Sequence, residues 1–88
     1  PESQSSAAVE KLLLQIGEAL QKSDAFAARA LLQKALKIAP RSPDVHTFAG
    51  VLADGEGDYR TAEKHFALAV KLAPASASAR NNYGAVLL

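Results

Sequence analysis

Pro40 and Pro74 stand 34 residues apart, and the residues ahead of each match in kind and in place. Asp24, Ala28, Ala35 and Lys37 recur as Asp58, Ala62, Ala69 and Lys71. A fixed self-similar period of this length marks a chain built from stacked supersecondary units. Each unit buries its apolar face only against its neighbours. A chain of this kind offers an extended surface and rarely a catalytic centre.

The periodicity inside each unit is helical. Val9, Leu12, Leu13, Ile16, Ala19 and Leu20 recur at steps of three and four, which predicts an amphipathic helix from Ala7 to about Gln21. Residues 1–6 are polar and aperiodic and read as a disordered lead-in. Ser23-Asp24 ends the first helix and caps a second, Ala25 to Ile38, in which Lys34 and Lys37 suit the C-terminal dipole. Ser42 and Pro43 open a third helix, to about Asp54, because proline is preorganised for the first helical position. Gly55-Glu56-Gly57 ends it, and Asp58 caps a fourth helix to about Leu72. After Pro74 and Ser76 a fifth helix is expected from Ala77 to the chain end. No strand-like alternation competes. The fold class expected is all-α, with antiparallel helix-turn-helix units: about 8–42, then 43–76, then a partial unit at 77–88.

Composition narrows function by exclusion. The 88 residues carry ten basic and nine acidic side chains, scattered rather than striped, so no basic field points to nucleic acid. Cysteine is absent, which removes disulfides and thiolate metal sites and suits a cytoplasmic or a periplasmic setting alike. No apolar run approaches the roughly 20 residues of a membrane span. The chain starts at Pro1 and ends on Ala85-Val86-Leu87-Leu88, and it reads as a piece of a longer protein.

The second unit resembles the tetratricopeptide repeat, whose pattern is W-x2-L-G-x2-Y, then A-x3-F, then P. It reads His46-x2-Ala49-Gly50-x2-Ala53, then Ala62-x3-Phe66, Ala69 and Pro74, with Gly57-Asp58-Tyr59 at the inter-helix turn. The first unit reads Leu13-x2-Ile16-Gly17-x2-Leu20, then Ala28-x3-Leu32, Ala35 and Pro40. It is one residue short between its helices in this alignment. A third begins Arg80-x2-Tyr83-Gly84-x2-Leu87. The small residues Gly17, Gly50, Ala28 and Ala62 are expected to let paired helices approach. Leu32 and Phe66 are expected to fill gaps between units.

The resemblance implies a right-handed superhelix, an α-solenoid, whose first helices line a concave groove for a peptide or partner helix, with no cofactor and no enzymatic activity. The groove residues it implies are Lys11, Leu14, Gln15, Glu18 and Gln21 from the first unit. The second supplies Asp44, Thr47, Phe48, Val51 and Asp54, and the third Ser78, Asn81, Asn82 and Ala85. Asn82 stands where related repeats hydrogen-bond a peptide backbone, its counterparts in the alignment being Gln15 and Phe48. Phe48 reads either as a groove anchor or as packing against a neighbouring helix. Leu14 and Glu18 occupy places where a clamp for chaperone C-termini needs Lys and Asn. Two further readings are a regulatory or targeting module attached to an enzyme, and a structural piece of an envelope or pilus assembly, the latter from the string Asn81-Asn82-Tyr83-Gly84.

Other constellations fail on spacing. Asp54 to Asp58 begins like a calcium loop, but the places that need Gly and a bidentate Glu hold Tyr59 and His65. His46 and His65 are not spaced as a metal pair, His65 reading as a surface residue and His46 as partly packed. The apolar face of the fifth helix (Tyr83, Val86, Leu87 and Leu88) would await a neighbour, and self-association through it is expected.

Overall fold

A computed structural model describes residues 2–73, with four helices: α1 (Glu2–Gln21), α2 (Ala25–Ile38), α3 (Pro43–Gly55) and α4 (Tyr59–Leu72). The fifth helix and its self-association residues Tyr83, Val86, Leu87 and Leu88 lie outside the described residues, as do the groove residues Ser78, Asn81, Asn82 and Ala85. α1 begins at Glu2 and takes in the stretch expected to be a disordered lead-in. Once a helix is nucleated and packed, each added residue gains a hydrogen bond, and Ser and Gln oppose this only weakly.

The 34-residue period is written into the backbone. The side chain of Asp24 accepts from the Ala27 amide at 3.1 Å, and that of Asp58 from the Thr61 amide at 3.2 Å. Each supplies an acceptor to an otherwise orphan helix N-terminal donor. Thr61, through its hydroxyl and its backbone N–H, holds the Asp58 carboxyl below the ordinary carboxylate range. The caps have near-identical dihedrals, φ −92° and ψ 80° at Asp24 against φ −90° and ψ 75° at Asp58. At the other ends, Ala39 and Ala73 donate back to Ala35 and Ala69.

The turns inside the two units are also the same. Asp24 N–H donates to the Ala19 carbonyl at 2.8 Å and Ser23 N–H to that of Leu20; Asp58 donates to Ala53 at 2.9 Å and Gly57 to Asp54. This pairing is the Schellman motif, and it needs a left-handed residue just past the helix. Gly57 (φ 80°) and Ser23 (φ 58°) fill that place. A side chain in this region costs about 1–2 kcal/mol, partly offset because glycine loses more entropy on folding. Ser23→Gly is therefore expected to raise stability by about 0.5–1 kcal/mol, and Gly57→Ala to lower it by about as much. Urea melts of the two variants check this through opposite shifts in midpoint.

These bonds correct the sequence register. The first unit is not one residue short between its helices. The 34-residue offset holds through the turn and into α1, carrying Ile16 onto Gly50 and Leu14 onto Phe48. Gly17 is thus not the counterpart of Gly50, and the two differ in environment. A Cβ on Gly50 would lie 2.4 Å from the Phe66 ring, whereas one on Gly17 would meet only Phe48 Cζ, at 3.9 Å. Close approach requires glycine in the second unit alone.

The core runs through both units. Val9, Ile16 and Ala19 of α1, Ala28, Leu32 and Ala35 of α2, and Val45, Ala49 and Leu52 of α3 form one buried cluster. Ala53, Ala62 and Phe66 form a second between α3 and α4. Leu32 therefore packs in a core shared between units, as expected. Phe66 instead lies on Gly50 of its own hairpin. α3 is the shared element, packing against α4, α2 and α1.

Candidate functional site

Among the described residues the expected groove divides into four environments. Leu14 stands 71% exposed, and Glu18, Gln21, Asp44 and Asp54 are also exposed. Val51 lines a shallow pocket of about 250 Å³ with Leu20, Ser23, Asp24, Ala25 and Gly55. Lys11 and Gln15 line a separate depression of about 530 Å³ with Leu12 and with Lys34, Lys37 and Ile38 of α2. A one-residue change of helical register rotates a side chain by about 100°, so the set chosen in the shifted α1 alignment does not share the face of its α3 counterparts.

Two groove residues are already engaged inside the fold. The Thr47 hydroxyl donates to the Pro43 carbonyl at 2.9 Å. Phe48 is half-buried and packs against the main core, with Gly17 beneath its ring tip. It joins α3 to α1 instead of standing free.

Two contacts were missed from the sequence. The first is a histidine pair. His46 is buried at 5% exposure, and His65, expected on the surface, is half-buried against it. Their Nδ1 atoms are 3.1 Å apart and their rings stack with centroids 5.3 Å apart. His46 Nε2 lies 2.7 Å from the Pro40 carbonyl. A carbonyl only accepts, so His46 Nε2–H donates to it and His46 Nδ1 is the acceptor for Nδ1–H of His65. The pair ties α4 through α3 to the turn between the units. Burial, then the neighbouring His46 and the charge of Lys64, hold the His65 imidazolium pKa below its usual value. A legible signal existed: positions 46 and 65 are equidistant from the Gly55–Glu56 turn, and an antiparallel hairpin sets such positions side by side.

The second is the ion pair of Arg29 on α2 with Glu56 at the end of α3. It spans a cleft of about 180 Å³ between α2, α3 and α4, floored by Leu32, Ala49 and Leu52 and edged by His65. Both partners remain substantially exposed, so the pair contributes about 0–1 kcal/mol.

Two hairpins with matching caps, matching turns and a shared core define a helical-repeat fold of the tetratricopeptide type. The comparison with solved structures agrees. The chain superposes on a mutant O-GlcNAc transferase of Thermobaculum terrenum with a TM-score of 0.88 at 31% identity, over 94% of this chain and 16% of that protein. No family model matches the chain, and no curated protein matches it. No helix among the described residues is long and apolar enough to cross a membrane.

Proposed function

We propose that this chain is a protein-interaction module of the tetratricopeptide family that holds a peptide or partner helix reversibly on the side formed by α1 and α3. The observation that carries this reading is the adjacency of the first helices of two like units, each bearing exposed apolar and acidic side chains, Leu14 and Glu18 on α1 and Asp44, Val51 and Asp54 on α3. Stacked repeats use extended surfaces of this kind for peptides. The test is peptide-display selection on the immobilised chain, followed by amide chemical-shift mapping. Shifts centred on Leu14, Glu18, Val51 and Asp54 are expected. A selection that enriches nothing over a scrambled library overturns the reading.

The likeness to part of a transferase favours a second reading, a regulatory or targeting module carried by an enzyme. Sequencing the full-length parent transcript tests it, and a parent encoding no catalytic domain ends it.

A further inference from the structure

The two units treat one face in opposite ways. In the second unit, Val45, His46 and Ala49 of α3 are buried, with Val45 and Ala49 in the core shared with the first unit. At the corresponding places, 34 residues earlier, α1 carries Lys11, Leu12 and Gln15. On the second helices, Leu68 corresponds to Lys34, while Lys71 and Leu72 correspond to Lys37 and Ile38. The first unit thus has lysine or glutamine at three places where the second has Val, Ala or Leu. Leu68 is itself exposed, but a face built to bury another such unit as α3 does would leave the amine of Lys11, at the place of buried Val45, desolvated and unpaired, which is costly.

The face is nevertheless not merely solvated. Ala8, Leu12 and Ile38 form an apolar floor, and Ile38 is 45% exposed. Lys11, Lys34, Lys37 and Gln15 complete the lining, with no carboxylate among the seven residues. We infer that this depression between α1 and α2 binds an acidic protein segment, an amphipathic helix whose apolar side chains sit over Leu12 and Ile38 while its carboxylates meet the three lysines. The inference rests on the interaction-module reading and assigns its partner's chemistry, at a depression whose lining includes neither Leu14 nor Val51. Amphipathic helices dock in grooves through anchors spaced three and four residues apart, and charge complementarity sets which partner is accepted.

Fluorescence anisotropy tests the assignment with two labelled peptides, a Leu/Glu amphipathic helix and its Leu/Lys counterpart. The acidic peptide should bind and the basic one should not, with affinity falling as salt screens the lysines. Lys34→Glu/Lys37→Glu should weaken binding by about ten-fold or more. Lys11→Gln/Lys34→Gln should weaken it less, and Ile38→Ser should weaken it without changing the salt dependence. Lys22→Glu/Arg60→Glu, an equal charge change elsewhere on the surface, should leave it unaltered. All these positions are exposed, and circular dichroism melts verify folding of each variant. Equal binding of both peptides, no binding of either, or insensitivity to Lys34→Glu/Lys37→Glu overturns the assignment. So does a concentration-dependent dimer that the same double variant abolishes, since a second copy would then be the occupant. Display-selected peptides that map to Leu14 and Val51 while the acidic helix fails to bind would leave the module reading standing and remove this one alone.

Discussion

Gly50→Ala is expected to destabilise the chain by about 1–3 kcal/mol, although alanine is the better helix former by about 1 kcal/mol. The added Cβ would fall 2.4, 2.5 and 2.8 Å from three carbons of the Phe66 ring. That ring cannot swing away, because Phe66 is only 3% exposed and is packed among Ala53 and Ala62. Either the α3–α4 hairpin opens or the ring leaves its rotamer, and both cost more than the propensity gain. Gly17→Ala should do the reverse, gaining about 0.5–1 kcal/mol, because its Cβ meets nothing closer than 3.9 Å. The first unit indicates a rescue. Its corresponding pair is Ile16 and Leu32, medium with medium, where the second unit pairs the smallest residue with a large ring. Phe66→Leu in the Gly50→Ala background should therefore recover part of the loss. Denaturant melts of the four members of the cycle measure this, and simple additivity of the two single changes would refute the steric account.

Removing His46 should have the other large effect. His46→Ala deletes a buried ring, leaves the His65 Nδ1–H without its acceptor and frees the Pro40 carbonyl, at an expected cost of about 2–4 kcal/mol. The pair also makes stability depend on pH, and the sign follows from His65. Its folded-state pKa lies below the ordinary histidine value of 6.5, chiefly because burial disfavours the cation. The unfolded chain therefore takes up the proton first. This contribution is fully present above pH 6.5 and is lost as pH falls through the lowered folded value. Lys64 on α4 reinforces the trend. Thermal melts from pH 7.5 to pH 5 should show a falling midpoint. His65→Gln keeps an amide donor for His46 and should flatten the upper part of that fall. An unchanged profile in that variant would assign the dependence to other groups.

Local chemistry made much of the fold readable without coordinates. Asp24 and Asp58, Ser42-Pro43 and Gly57 act through their own and adjacent backbone, so the boundaries of α2 and α4 fall where the caps put them. The start of α1 was not readable in this way, since polar residues 2–6 carry no periodic signal and are helical by propagation. The register of α1 was misread because glycine is informative only through what approaches it. Gly17 and Gly50 look alike in a string, and the Phe66 ring distinguishes them.

The candidate site was legible only in part, for the same reason. Exposure of Leu14, Glu18, Asp44, Val51 and Asp54 follows from helical phase, and the sequence reading placed them on a surface. Which neighbours each one faces depends on how whole helices pack. Hence Lys11 and Gln15 turn toward Lys34, Lys37 and Ile38, Phe48 closes over α1, and His46 meets His65. The sequence by itself determined a 34-residue helical repeat with its caps and turns, because those rest on interactions within a few residues. The tertiary structure alone decided the one glycine that close packing requires, the burial and bonding of His46 against His65, and the basic face of the first unit. Each of these depends on side chains brought together from separate helices, and no local pattern encodes that distance.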